Sequence, residues 1–432
     1  MKTLIKTTIL LLGISFSSCW NMFNDTIDDL GKTVSPESIT AFSIEEPTSG
    51  VPVNGIISGV NITVSLPEGV SLTNLIATFT HTGTELRIGS TVQVSGVTAN
   101  NFATSQLYIL YDSNGLTKNY MVNVRTKSWT AKTSGLPVSG TEWSSITSSS
   151  DGNRLAAAIS SYGDGIYVSA NGGTDWTHLT TISGVSRSIA SLADGTCLSI
   201  AAGWGDMDPD YVYTSLDSGL SWTTHNAAVG GSNEWSSIAS SSDGTYVIAA
   251  QSRNTDGDGY IYIGEYDGDT WAWDQTQPAI LSWKGVASSS TGLYMVAVAD
   301  GGNIYTSVNG GSNWTSRESV RAWSSVASSS NGTILYATVY GGQIYRSINS
   351  GVNWTSINAS NQNWKSIACS SDGTTVVAAV EGGTIVSSIN SGTNWISHSS
   401  AGSHDWRSVT MPADGSRFAA VAYNERYVYI YD

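Results

Sequence analysis

Two runs of carboxylates stand out in a chain that is otherwise poor in charge. Asp206, Asp208 and Asp210 alternate along one stretch, and Asn254, Asp256 and Asp258 alternate ahead of Gly259 in another. Side chains at alternating positions of a tight loop can turn several oxygens onto one point, which is what a hard cation such as Ca2+ requires. The second run, extended to Glu265, has the spacing of a helix–loop–helix calcium loop with Asn at its first position. Tyr260-Ile-Tyr-Ile263 alternates as a strand does, so the expectation is a Ca2+ site built from Asn254, Asp256 and Asp258 in a β turn. Trp204 lies beside the first run and Arg253 beside the second. An indole offers a flat apolar face with a polar handle. Trp204, Asp206, Asp208, Asp210, Arg253, Asp256 and Asp258 are therefore the expected ligand-binding residues. Other chemistries are less well served. Glu142, Glu234 and the loop aspartates give too many carboxylates to single out a glycosidase pair. The five histidines are scattered, and Cys197 and Cys369 have no zinc-ligand spacing.

The whole chain has 432 residues, 12% of them charged, and a net charge of −15. That balance argues against nucleic acid, whose phosphates are neutralised by Lys and Arg, and against an electrostatic grip on anionic lipid. Lys2 and Lys6 precede a short apolar run, Ile9 to Phe16, and then Ser17-Ser18-Cys19. The run is too short to span a bilayer. Small residues before a cysteine resemble the lipobox of bacterial lipoproteins, with Phe16 where Leu is usual. The resemblance implies a signal peptide over 1–18, diacylation of Cys19, and a polar tether over 19–37. It places the protein on a bacterial membrane, outer membrane or cell surface, touching lipid only through that anchor.

Residues 38–126 alternate apolar and polar in short runs such as Asn61-Ile-Thr-Val-Ser-Leu66 and Gln106-Leu-Tyr-Ile-Leu-Tyr111, divided by turn residues such as Asp112-Ser-Asn-Gly115. This predicts an all-β sandwich. It resembles the Ig-like or cadherin-like domains of bacterial surface lipoproteins, which implies a spacer.

From residue 127 to 432 the chain repeats itself. A turn closes at Gly152, Gly195, Gly244, Gly292, Gly332, Gly373 and Gly415, making seven copies. Nine residues before each glycine stands Trp143, Ser186, Trp235, Trp283, Trp323, Trp364 or Trp406. Wide aromatics at one place in six of the seven copies are expected to pack between copies. Six copies end in a second signature, Ser169 to Trp176, Ser215 to Trp222, Gly264 to Trp271, Ser307 to Trp314, Ser347 to Trp354 and Ser388 to Trp395. These resemble the Asp box, S-x-D-x-G-x-x-W, of the sialidase-like (BNR) propeller families. Asp217 keeps the Asp, Asn171, Asn309, Asn349 and Asn390 replace it, and Tyr266 takes the slot in the third copy. In those families the box is a structural turn, and that role is carried over here.

The seventh copy stops after three strands, at Tyr427 to Asp432, and Ser128-Trp-Thr-Ala-Lys-Thr133 matches the missing fourth. The predicted fold is thus a seven-bladed β-propeller closed by its N-terminal strand, behind an Ig-like sandwich. With strands a to d in each copy, the b–c and d–a loops share one face, here the upper face. The b–c loops of copies 1 to 3 are the longest, and the site is expected over them.

The Asp-box resemblance implies either a binder or an exo-sialidase. A sialidase has three arginines on the substrate carboxylate, a Tyr–Glu nucleophile pair and an acid/base Asp. Arg187, Arg253, Arg317, Arg321, Arg407 and Arg426 lie on or near the upper face. The Arg-Ile-Pro motif of sialidases is absent, and sialidases have six blades. The seven-bladed relatives include assembly factors such as the photosystem II stability factor. The expectation is a non-enzymatic surface protein that binds protein or glycan, with a sialidase-type glycoside hydrolase as the alternative. Mass spectrometry of the mature protein is expected to find a diacylglyceryl group on Cys19; an unlipidated N-terminus elsewhere overturns the lipoprotein assignment.

Overall fold

The structure, a computed structural model, describes residues 37–161, 165–179, 182, 185–203, 211–225, 233–254, 259–276 and 281–432. These residues are strands and turns, with one 3-10 turn at Ser399–Ala401. The chain divides into two compact units, Met1–Lys127 and Ser128–Asp432.

In the first unit two sheets share one core. One holds Ile39–Glu45, Pro52–Asn54, Leu75–His81 and Ala99–Asn100. The other is centred on Asn61–Leu66, Thr117–Thr126 and Gln106–Tyr111. Alternation along Asn61–Leu66 buries Ile62, Val64 and Leu66, which meet Phe42, Ile44 and Phe79 of the other sheet in a single cluster. The strand Asn61–Leu66 runs parallel to Met121–Thr126.

In the second unit each repeat folds as an antiparallel meander. The second repeat shows it most plainly, with Val185–Ser191, Leu198–Gly203, Tyr211–Ser215 and Thr223–His225 paired in order. Every a strand breaks register with its b strand next to the repeat Trp, between Trp143/Ser145, Ser186/Ser188, Trp235/Ser237, Trp283/Gly285, Trp323/Ser325, Trp364/Ser366 and Trp406/Ser408. One extra residue sits in each bulge. Unbroken alternation puts residues two apart on the same face. Here Trp143 and Ile146, three apart, share a cluster with Val421 and Val428 of the seventh repeat. The pairs Trp283/Val286 and Trp364/Ile367 do the same in their own clusters.

The tryptophans are packing residues. Trp143, Trp235, Trp283, Trp323, Trp364 and Trp406 are all 3% exposed or less. Most stand edge-on to a c-strand tyrosine, as in Trp283–Tyr305 at 5.4 Å and Trp406–Tyr429 at 4.9 Å between ring centroids.

Successive repeats are tied by two sets of hydrogen bonds. The a–b turns join through backbone: Ser242 N–H to Ser290 O, Ser290 to Ser330, Ser330 to Ser371, Ser371 to Ala413, and Ala413 to Ser150, all 2.7–2.9 Å. The last bond leads from the seventh repeat back to the first. Above it, the serine two past the Trp position accepts from the next repeat's backbone: Ile189 N–H to Ser145 Oγ, Ile238 to Ser188, Val286 to Ser237, Ile367 to Ser325, Val409 to Ser366, and Ile146 to Ser408. The fourth repeat has Gly285 at this position and so offers no hydroxyl.

The c–d turns explain why Asn substitutes for Asp. Asn171 Oδ1 accepts from Asp175 N–H at 2.9 Å, as Asp217 Oδ1 accepts from Ser221 N–H at 2.8 Å. In both, the serine hydroxyl accepts from a glycine N–H and donates to the Asn or Asp. In the third repeat Asp267 takes over, accepting from Asp269 and Thr270 N–H.

Trp129–Lys132 pairs antiparallel with Val428–Tyr431, supplying the fourth strand of the last repeat. Trp129 is 5% exposed and packs with Trp406, Phe418 and Tyr431. Truncating a buried aromatic leaves a cavity as well as losing transfer energy. Trp129→Ala is expected to lower unfolding free energy by about 3–5 kcal/mol, read by chemical denaturation; a loss within about 1 kcal/mol, the range of surface changes, means that the strand does not hold the unit together.

Candidate functional site

A cavity of about 800 Å³ opens at the upper ends of the a and b strands. Its wall comes from nearly every repeat of the second unit. Two sequence positions build it. The first is the bulged residue after the Trp: Ser144, Arg187, Ser236, Lys284, Ser324, Lys365 and Arg407 all line the cavity. The second is the residue just past the one that pairs with the repeat Trp, giving Ser160, Asp300, Tyr340, Glu381 and Tyr423. Because the bulge takes its extra residue out of the inter-repeat packing, that side chain is available to the cavity.

Glu381 is the hub of one half. Its carboxylate accepts from the Tyr340 hydroxyl at 2.8 Å, and Lys365 Nζ and Arg407 each stand 3.5 Å away. Burial pulls Glu381 upward, but the Tyr340 hydrogen bond and the two cations outweigh it and hold the carboxyl below its ordinary value. Arg407 also bonds Asp405 at 2.9 Å and lies 4.7 Å from the Tyr423 ring centroid. Tyr423 in turn donates to Glu142 at 2.8 Å. Hydrogen bonding to Glu381 and to Glu142 raises the pKa of Tyr340 and of Tyr423, away from the phenolate. On the other side Ser236 donates to its own b strand at Ala250 O. Arg187 and Lys284, both exposed, have no ion pair with any described residue.

The residues singled out by the loop argument fall elsewhere. Cys19, Trp204, Asp206, Asp208, Asp210, Asp256 and Asp258 lie outside the described residues. Arg253 and Asn254 end the strand Tyr246–Asn254, with only their backbone described. Among the described residues there is no cluster of three or more metal-ligating side chains. Of the earlier arginine and carboxylate candidates, Arg187, Arg407 and Glu142 come together in the cavity, whereas Arg321 pairs with Glu318 outside it. The other cavity residues were legible in principle. The motif W-x-S-I/V breaks strand alternation at one fixed place, and the x position carries four of the chain's 19 Lys and Arg residues.

Taken together, the fold is all-β and of the β-propeller class, and comparison with solved structures places it there. The chain is similar to the structure described as YCF48 bound to D1 peptide, at 17% identity and a TM-score of 0.52, covering 70% of this chain and 94% of that one. It is similar also to YCF48 from Cyanidioschyzon merolae, at 15% identity and a TM-score of 0.51, covering 70% and 98%. No protein-family model matches the chain, and no curated protein matches its sequence.

The hub has a pH signature. A carboxyl whose folded value is depressed contributes stability above its unfolded value, near 4.3 for Glu, and loses it as pH falls through the folded value. Carbon-13 NMR is expected to find the Glu381 midpoint below that of ordinary glutamates, and Tyr340→Phe is expected to move it upward. A midpoint at or above the ordinary range contradicts the ion-pair geometry.

Proposed function

We propose that this chain is a surface-displayed bacterial lipoprotein whose second unit is a seven-bladed propeller that holds a segment of a partner protein in its central cavity. The cavity carries the reading. It is open, it is lined in every repeat by the bulged position, and that position is Ser, Lys or Arg in all seven. Seven sequence repeats, the hydrogen bonds that lead from the seventh back to the first, and the pairing of Trp129–Lys132 with Val428–Tyr431 support seven blades. A propeller neighbour is described as bound to a peptide, which agrees with a protein ligand. In this reading Cys19 carries the lipid, residues 19–37 are a tether, and the Ig-like first unit is a spacer. The turns at Asn171, Asp217, Asn309, Asn349 and Asn390 are Asp boxes with a structural role.

One observation favours a second reading. Tyr340–Glu381 and Tyr423–Glu142 are Tyr–Glu pairs next to cations, as a sialidase-type hydrolase uses. Against it, both tyrosines are shifted away from the phenolate, the opposite of an activated nucleophile.

The test is a photo-crosslinking amino acid placed at Ser324 in the cavity or at Ile348 on the outer turn, in full-length protein on the cells that make it. A protein cross-link at Ser324 but not at Ile348 is expected, with no turnover of a fluorogenic glycoside panel. Turnover abolished by Glu381→Gln replaces this reading with the hydrolase.

A further inference from the structure

The cavity is built in two unlike halves, and the difference states what chemistry it takes. In repeats 5, 6, 7 and 1 the charges are satisfied within the protein. Tyr340, Glu381, Lys365, Arg407, Asp405, Tyr423 and Glu142 form one connected set of hydrogen bonds, ion pairs and a cation–ring contact. In repeats 2 to 4 the same bulge position supplies Arg187, Ser236 and Lys284. The two cations have no ion pair with any described residue, and the small Ser236 between them donates its hydroxyl to Ala250 O on the b strand of its own repeat. Among the described residues, Asp300 is the one acid lining this side. It lies within the strand Met295–Ser307 of Lys284's own repeat, paired with Ser282, yet forms no ion pair with Lys284.

We infer that the wall formed by Arg187, Ser236 and Lys284 is an anion subsite, and that it takes side-chain carboxylates of an acidic segment of the partner protein. This rests on the proposed function for the source of the carboxylate. Three points carry it. Two exposed cations flank a small residue on a concave wall, so an anion between them meets a guanidinium fork and an ammonium without displacing another side chain. A concave wall focuses that field. And the chain carries a net charge of −15, so two cations without an ion pair among the described residues, gathered in one cavity, run against its overall balance. An acidic protein left to general electrostatics prefers a basic partner; a preference for an acidic one has to come from a local site.

The experiment uses full-length labelled protein and thermophoresis at low salt with acetylated, amidated hexaglutamate, with hexalysine and with trigalacturonate. Hexaglutamate is expected to bind, to weaken at least tenfold in Arg187→Ala/Lys284→Ala, and to weaken as salt is added. Asp300→Asn is expected to tighten it, and Lys132→Ala, away from the cavity, to leave it unchanged. All the substituted side chains are polar, so thermal melting checks that each variant folds. Preference for hexalysine, or hexaglutamate binding that ignores the double variant, overturns the subsite. Binding of trigalacturonate in place of hexaglutamate overturns the protein source in favour of a sugar acid. A Ser324 photo-probe that still captures a protein when hexaglutamate fails leaves the proposed function standing and removes this inference alone.

Discussion

The second unit depends on a one-residue bulge set into the first strand of every repeat. A regular strand has two faces, and here both are needed for neighbours: one meets the preceding repeat and the other the following one. Adding a residue after the Trp lets Trp and the aliphatic three positions on press into the preceding repeat together. The serine between them turns to the following repeat and accepts its backbone N–H. The extra residue belongs to neither face, and it lines the cavity. Packing, lateral bonding and cavity lining thereby fall mainly to three adjacent residues, although Ser144 in the bulge also donates to Ser186 O of the next repeat.

That separation explains where the polar groups are tolerated. The core positions are uniform, Trp or Ser followed by Ile or Val, because each must fit a neighbour of the same shape. The bulge positions are not uniform: Ser, Arg, Ser, Lys, Ser, Lys and Arg follow one another. Charges there cost little, because they are part-exposed or exposed and the carboxylates that face them come from a second position. Half the wall is closed by its own ion pairs, which fixes the rotamers of Lys365 and Arg407. On the other half, Arg187 and Lys284 have no ion pair with any described residue.

Much of the architecture is legible in the sequence because its determinants are local and repeated. The fixed interval from Trp to turn glycine sets strand and turn together, and the missing fourth strand of the last repeat points directly to Trp129–Lys132. Asn in place of Asp is readable too, since either side chain presents the same oxygen to the turn backbone. The cavity is a different matter. Attention to loop length leads to Asp206, Asp208, Asp210, Asp256 and Asp258, which lie outside the described residues. The cavity residues come instead from positions inside strands, where a Lys or Arg between a Trp and a Ser reads as an ordinary solvent-facing residue. Nothing in a single repeat shows that such positions converge. Only the fold of the second unit brings Arg187, Lys284, Lys365 and Arg407 to one place, although they are up to some 220 residues apart in sequence.

The latch strand has a consequence for how such a protein is made. Thr130 bonds the carbonyl of Ile430, 300 residues further along the chain. Contacts of such separation form late, since the intervening chain must be ordered first. Until Val428–Tyr431 emerges, Trp129 and its strand have no partner. The growing chain meanwhile carries an open strand edge at each end, the feature that recruits stray strands from other molecules. A holding chaperone able to mask a short aromatic strand is thus a natural companion of this topology, and circular permutants that make the last repeat from contiguous chain would depend on it less.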